Sequence, residues 1–344
     1  MDASAVSQDG YNDADLLLRL MLSSMAFLTT SEKYALYAAL SDGMELSALS
    51  LSDLSLLVHR TVRRARWDGS VALSAAQQSL RLLRALSIRS TFFDSADFPA
   101  LLREMADPPY ALFYRGNLAA LASPCVSVVG TRRATARARH AATDFACEAA
   151  AAGCTVVSGL AYGVDVAAHT GALQASSGAT VAVLASGIDT VTPASHKRVA
   201  VRIIEQGGCL ISEYAPGTPA LAFRFVQRDR LIAALSPATV IVQAPSGSGA
   251  LITAAFALEY GRDVLFHAAA FSPESQILER DSVEKLRAAL AQGRNVSYKI
   301  ENSPERYVSD GAPVIRTFAE YCACHFGAPG TAFCKHTAAQ IDLF

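Results

Sequence analysis

Apolar and polar positions fall into two regimes along the chain. From Ala14 to about Leu57 the apolar residues recur at helical spacing: Leu16, Leu17, Leu20 and Met21, then Tyr34, Leu36, Tyr37 and Leu40. Ser31 with Glu32 predicts a helix start and Asp42-Gly43 a stop. Ser74 to Leu86 repeats the pattern with Leu80, Leu83 and Leu86 on one side. From Cys125 onward the period changes. Short runs rich in β-branched residues (Cys125–Val129, Cys154–Val157, Thr180–Leu184, Cys209–Ser212, Thr239–Gln243, Asp263–Phe266) alternate with longer helical stretches. Small residues stand where most of these runs end. This alternation predicts an α/β chain with a doubly wound, mainly parallel sheet.

The expected organisation has an all-helical module over residues 1–90, the α/β domain over 91–271, and an insertion plus short tail element over 272–344. Met1 to about Asp13 reads as disordered. Pro108-Pro109 stops the preceding helix, since proline lacks an amide donor and restrains the residue before it. Ala111–Tyr114 is a short strand and Ser272–Ile300 an insertion.

Right-handed crossovers put all the strand-to-helix turns on one edge of a parallel sheet. Four such turns are Gly130, Ser158-Gly159, Ser186-Gly187 and Ser246 to Gly249, with Gly163 just before the second helix. Helix N-termini offer outward amides and a dipole that favours an anion, and Ser246, Ser248 and Gly249 open one such helix. Arg132 and Arg133 stand at the mouth of the first turn. Plain turns of any doubly wound fold are built from the same small residues, and Gly-Thr-Arg-Arg-Ala-Thr is not the dinucleotide fingerprint.

Other chemistry has ordinary competitors. Asp165 and His169 lie four apart on one helix face, with Ser158 nearby, yet the order and loop do not make a nucleophile elbow. Asp165 reads more simply as an N-cap or first-turn acid, His169 as a packed helix residue and Glu213 as structural. Arg63, Arg64 and Arg66 form a short basic run of the kind that solvated faces carry, with nucleic-acid contact as the alternative reading. Cys322, Cys324, His325, Cys334 and His336 cluster near the end, but C-x-C-H then C-x-H is not standard zinc spacing. No metal and no cofactor are expected.

The 344 residues are 51% hydrophobic, enough for a large core, and the formal net charge is -1. Any nucleic-acid binding must therefore rest on a local basic cluster. Seven scattered cysteines fit reduced cytosolic thiols, the acidic start MDASAVSQDG has no secretory character, and no apolar run spans a bilayer. The expectation is a soluble cytoplasmic protein.

At VVGTRRAT, VVSGLAYGVDVAAHTGAL, TVAVLASGID, GCLISEYAPGTPA and FRFVQRDRLIAALSPATVIVQAPSGSGALITAAFALEYGRDV the chain resembles the DprA (Smf) family of bacterial DNA-processing proteins. The match runs from about Phe98 to Phe266. It implies an extended Rossmann-like domain that binds single-stranded DNA, protects strands taken up in transformation, helps load the RecA recombinase, dimerises, and has no catalytic activity. The basic pocket it implies falls on Arg132, Lys197, Arg228 and Arg230. Tyr162, Phe223 and Phe225 are candidates to stack on bases, with Phe223 and Phe225 equally candidates for the core. The family's R-N-R is Arg228-Asp229-Arg230 here, which puts a carboxylate between two arginines. A competing resemblance, to lysine-decarboxylase-like nucleotide hydrolases, lacks its glutamate, because Thr253-Ala254 stand in its place. A zinc-stabilised interaction module is the third class.

Overall fold

The structure is a computed structural model that describes residues 11–63, 66–176 and 178–326. It divides into two compact units. The first comprises residues 1–115, 185–191 and 211–221, the second 116–184, 192–210 and 222–344. Among the described residues, no helix is long and apolar enough to cross a membrane.

In the first unit, helices α1 (Asp13–Ser24), α2 (Thr30–Ala39), α3 (Gly43–Ala48), α4 (Leu51–Leu57) and α5 (Gly69–Ala85) form the helical part. The cap of α2 is Thr29 rather than Ser31. Its hydroxyl takes the Glu32 amide while the Glu32 carboxylate takes the Thr29 amide, a complete capping box. Asp42 does not end a helix but starts the next, accepting from the Glu45 amide at 2.9 Å. Strands β1 (Arg89–Phe92) and β2 (Ala111–Gly116) pair antiparallel, Arg89 opposite Tyr114, with the short helix α6 (Ala100–Arg103) between them. β1 is absent from the sequence reading because its polar Ser90 and Thr91 break the apolar run, yet both are buried. Arg19 is buried too, bidentate on Asp94 at 2.8 and 2.9 Å and stacked 3.8 Å from the Tyr37 ring centre.

The second unit is the α/β Rossmann-like fold that the alternation predicts. Its strands are β3 (Cys125–Gly130), β4 (Thr155–Ser158), β5 (Thr180–Val183), β6 (Cys209–Ser212, of which Cys209 and Leu210 belong to this unit), β7 (Ala238–Gln243), β8 (Asp263–His267) and β9 (Val314–Ile315). They lie in the order β6-β5-β4-β3-β7-β8-β9. β3 pairs parallel with both β4 and β7, β4 with β5, β7 with β8, and β8 with β9. The intervening helices are α7 (Ala136–Ala151), α8 (Val164–Ala172), α9 (Lys197–Glu205), α10 (Ala222–Ala234) and α11 (Gly249–Glu259), followed by α12 (Pro273–Ala291), α13 (Ser297–Glu301), α14 (Pro304–Ser309) and α15 (Phe318–Phe326). The alanines of α7 are the physical key to its packing. Ala138, Ala142, Ala146 and Ala149 are fully buried, and a Cβ on Gly171 of α8 would stand 2.1 Å from the Thr143 carbonyl oxygen. Only small side chains let two helices approach so closely against one sheet.

The chain runs outward from β3 to β4 and β5, then returns to β7 on the other side of β3. That reversal is a topological switch point, where open α/β sheets leave a crevice beyond the carboxyl ends of their strands. The β3/β7 register shifts between Val129 and Gly130, a bulge at the end of β3 that bends it where the turn begins.

Candidate nucleic-acid interface

A cavity of about 390 Å³ occupies that crevice. Its walls come from the β3–α7 turn (Gly130 to Arg133), the head of α8 (Ala161, Asp165), α10 (Phe225, Arg228, Asp229) and the head of α11 (Ser248 to Ala250). The turns are laced together. The Thr131 amide donates to the Gln243 carbonyl at 2.6 Å, and the Val164 amide to the Thr131 carbonyl at 3.4 Å. Gly163 has φ +83°, and a Cβ on it would lie 2.2 Å from the Thr131 oxygen, so this position demands glycine twice over. Thr135 caps α7 by accepting from the Ala138 amide at 3.1 Å, and Gln243 Oε1 accepts from the Thr135 amide at 2.9 Å.

The sequence nominated several anion-binding turns, and the structure separates them. Turn two is filled by its own protein. Ser158 is fully buried with its hydroxyl donating to the Val128 carbonyl at 2.7 Å. Asp165, in the first turn of α8 and buried, does not cap its own helix but accepts from the backbone of Ala161 and Gly130; burial pushes its carboxyl up, against the pull of Arg228 and Arg132. His169 is buried, and its Nδ1 lies 2.7 Å from Thr180 Oγ1. Because Thr180 already donates to the Val156 carbonyl at 2.6 Å, the imidazole is the donor at Nδ1. Burial pushes its pKa down to about 3. Ser158, His169 and Asp165 therefore do not form a hydrolytic triad, since each is spent on a different structural bond.

The turn before α11 is likewise engaged. Glu279 of α12 accepts from the Ser246 amide at 2.7 Å and from the Ser246 hydroxyl. Ser248 caps α11 through the Ala250 amide at 3.4 Å. Gly187 belongs to the first unit, where its amide donates to the Thr218 carbonyl at 2.8 Å.

Arg228 is the largest departure from expectation. It is 2% exposed, with Nη1 donating to the Gly159 carbonyl at 2.6 Å and also to the Val183 carbonyl. Its Nε lies 3.1 Å from Asp229 Oδ1. A Cβ on Gly159 would collide with Nη1 at 2.1 Å. Arg228 thus ties α10 to the ends of β4 and β5 and shapes the cavity from behind. Asp229 faces the cavity near the head of α11, its Oδ2 at 4.0 Å from where a Gly249 Cβ would be. Burial pushes its carboxyl up to about 7, opposed by Arg228 and reinforced by Asp165.

The first turn keeps its cations outward. Arg132 and Arg133 are exposed, and the Arg132 guanidinium sits 4.7 Å from the centre of the Phe225 ring on the cavity wall. Phe225 is half-buried, as is Arg230, while Phe223 and Tyr162 are 56% and 52% exposed. Tyr162 packs edge-on against His196 at 4.9 Å and its hydroxyl accepts from Ser195 at 3.2 Å. Lys197 is exposed at the first residue of α9 and is not part of the cavity wall. Glu213 is half-buried. Arg63 and Arg66 are exposed, and Arg64 lies outside the described residues.

In the Cys/His cluster, Cys322 is buried, Cys324 exposed, and His325 Nδ1 lies 2.6 Å from Asp263 Oδ2. Cys334 and His336 lie outside the described residues, and among the described residues no group of three candidate ligands could hold a metal. The sequence reading missed Gln243 as the clamp between two turns and Glu279 as the occupant of another. Their partners lie 108 and 33 residues away, beyond any local signal.

Comparison with known proteins follows the same lines. The sequence model of the family described as DNA recombination-mediator protein A matches residues 89–311. The chain is 35% identical over 252 residues to protein Smf of Escherichia coli, covering 73% of this chain and 66% of that protein. It is 28% identical over 293 residues to protein Smf of Borreliella burgdorferi, covering 83% of this chain and 91% of that one. The X-ray structure of DNA processing protein A from Streptococcus pneumoniae superposes with a TM-score of 0.63 at 26% identity, covering 89% of this chain and 95% of that chain.

Proposed function

The chain belongs to the DNA recombination-mediator protein A family, and on that premise we propose that it binds single-stranded DNA at the switch-point cavity. It binds the strand without catalysing a reaction on it, and hands it to a RecA-type recombinase as a homodimer during DNA uptake. The observation that carries this reading is the exposed pair Arg132 and Arg133 beside a half-buried aromatic, Phe225, at the mouth of a crevice edged by helix N-termini. Cations take phosphates, an aromatic face stacks on bases, and neither contact requires a particular sequence. Lys197, Arg230 and Tyr162 extend the contact surface in this reading, and Arg228 supports it as a positioning residue. The commitment of Ser158 and His169 to buried structural bonds favours binding over hydrolysis.

The test is a fluorescence anisotropy titration of the full chain with a labelled oligothymidylate and with a duplex of equal length, over a salt series. Tighter binding to the single strand, with log affinity falling linearly in log salt, is the expected result. Equal affinity for both forms, or a response flat in salt, overturns the proposal.

A further inference from the structure

We infer that α12 carries a second phosphate subsite, between Arg133 and Lys285, for the sugar–phosphate backbone of the same strand. This rests on the reading of the switch-point cavity as a strand site. A separate cavity of about 240 Å³ lies beside the first and shares Thr131, Arg133 and Ser248 with it. A chain leaving the first cavity over that shared wall enters the second directly. The far wall is one face of α12: Leu278, Asp281, Ser282 and Lys285, spaced at three, four and seven along the helix.

Three contacts hold that face in place. Ser275 accepts from Gln243 Nε2, and Glu279 accepts from the Ser246 amide and hydroxyl. Leu286 lies against Gly247, its Cδ1 3.3 Å from where a Cβ would be. Because the Glu279 carboxylate is turned onto Ser246, the charged groups lining the second cavity are Arg133, Lys285 and Asp281. Arg133 and Lys285 offer two cationic donors to a phosphodiester, with the Ser282 hydroxyl as an additional donor, while Asp281 and the Glu279 carboxylate behind Ser246 oppose it. Glu279 plays the complementary part: it fills the Ser246 turn and so directs the strand across Arg133 onto α12.

The test uses the full chain, labelled oligothymidylates of increasing length, and a salt series. Lys285 is exposed, so Lys285→Ala keeps the fold, which a thermal melt verifies. The expected result is unchanged binding of the shortest oligonucleotides that fill the first cavity. For longer ones, the variant loses about three- to fivefold in affinity and about 0.7 in the salt slope, the contribution of one phosphate contact on a single strand. Lys285→Arg should restore the slope, and Asp281→Asn should tighten binding at the same lengths. If Lys285→Ala matches the parent at every length while Arg132→Ala weakens binding, the subsite is refuted and the first cavity stands. If the parent protein binds no single strand, both fall together.

Discussion

On the proposed reading of the switch-point cavity, Asp229 should make its affinity for a strand depend on pH near neutrality. Its carboxyl lines the cavity, is paired to Arg228 at 3.1 Å, and is pushed up to about 7. It is therefore mostly neutral at pH 6 and mostly charged at pH 8. For a phosphate about 8 Å away at an effective dielectric of about 20, the repulsion is about 2 kcal/mol. Screening over one Debye length reduces it to about 0.8 kcal/mol, or about fourfold in affinity. The parent protein should bind an oligothymidylate about threefold more tightly at pH 6 than at pH 8, since Asp229 is not fully neutral at the one nor fully charged at the other. Asp229→Asn should remove that dependence and bind at pH 8 about as well as the parent at pH 6. Anisotropy titrations at the two pH values, with ionic strength held constant, measure both quantities. A flat parent profile, or an Asn variant that keeps the full pH dependence, refutes the reasoning.

The same group shapes stability. A carboxyl whose folded pKa is raised contributes stability below its unfolded value near 4 that is lost as pH rises towards 7. His169, pushed down to about 3, loses stability instead as pH falls from about 6.5 towards 3. Between about 4 and 6.5 the two slopes oppose each other at about 1.4 kcal/mol per pH unit each, so these two groups nearly cancel in the parent. Urea melts of Asp229→Asn should reveal the uncompensated histidine slope as a steeper loss of stability on acidification than in the parent; parallel profiles would contradict it. Gly159→Ala should lower stability by about 2–4 kcal/mol, because its Cβ meets the Arg228 guanidinium at 2.1 Å; a thermal shift under 2 °C would contradict the packing. Ser158→Ala should cost about 1 kcal/mol and leave DNA affinity unchanged, since its hydroxyl serves only a buried carbonyl; lost binding in a folded variant would return Ser158 to the site.

The alternation of apolar runs and helices was enough to read the Rossmann-like unit, because a parallel strand buried on both faces leaves a continuous β-branched run closed by small residues. β9 escaped because two residues, Val314 and Ile315, make no run at all. In the site, Arg132 and Arg133 were legible because the turn after a strand faces the crevice. The burial of Arg228 was also legible in principle. It precedes Leu231, Ile232 and Leu235 at three, four and seven, a buried stripe along α10 and the residue just past its end. Its charge drew attention away from its spacing. What the sequence could not show is that Asp165 already takes the amides of Gly130 and Ala161, and Glu279 that of Ser246, in the turns before the helices. Which carboxylate reaches which amide is decided by tertiary packing, and only packing distinguishes an open anion site from one filled by the protein itself.

The central claim is that a strand's phosphates sit at the first turn. A crystal structure of the full chain with a short oligothymidylate tests it directly. The account predicts a phosphate within hydrogen-bonding distance of the Arg132 or Arg133 guanidinium, with a base against Phe225. A strand bound elsewhere, along the exposed Arg63 and Arg66 of the helical part with the switch-point cavity empty, would contradict it.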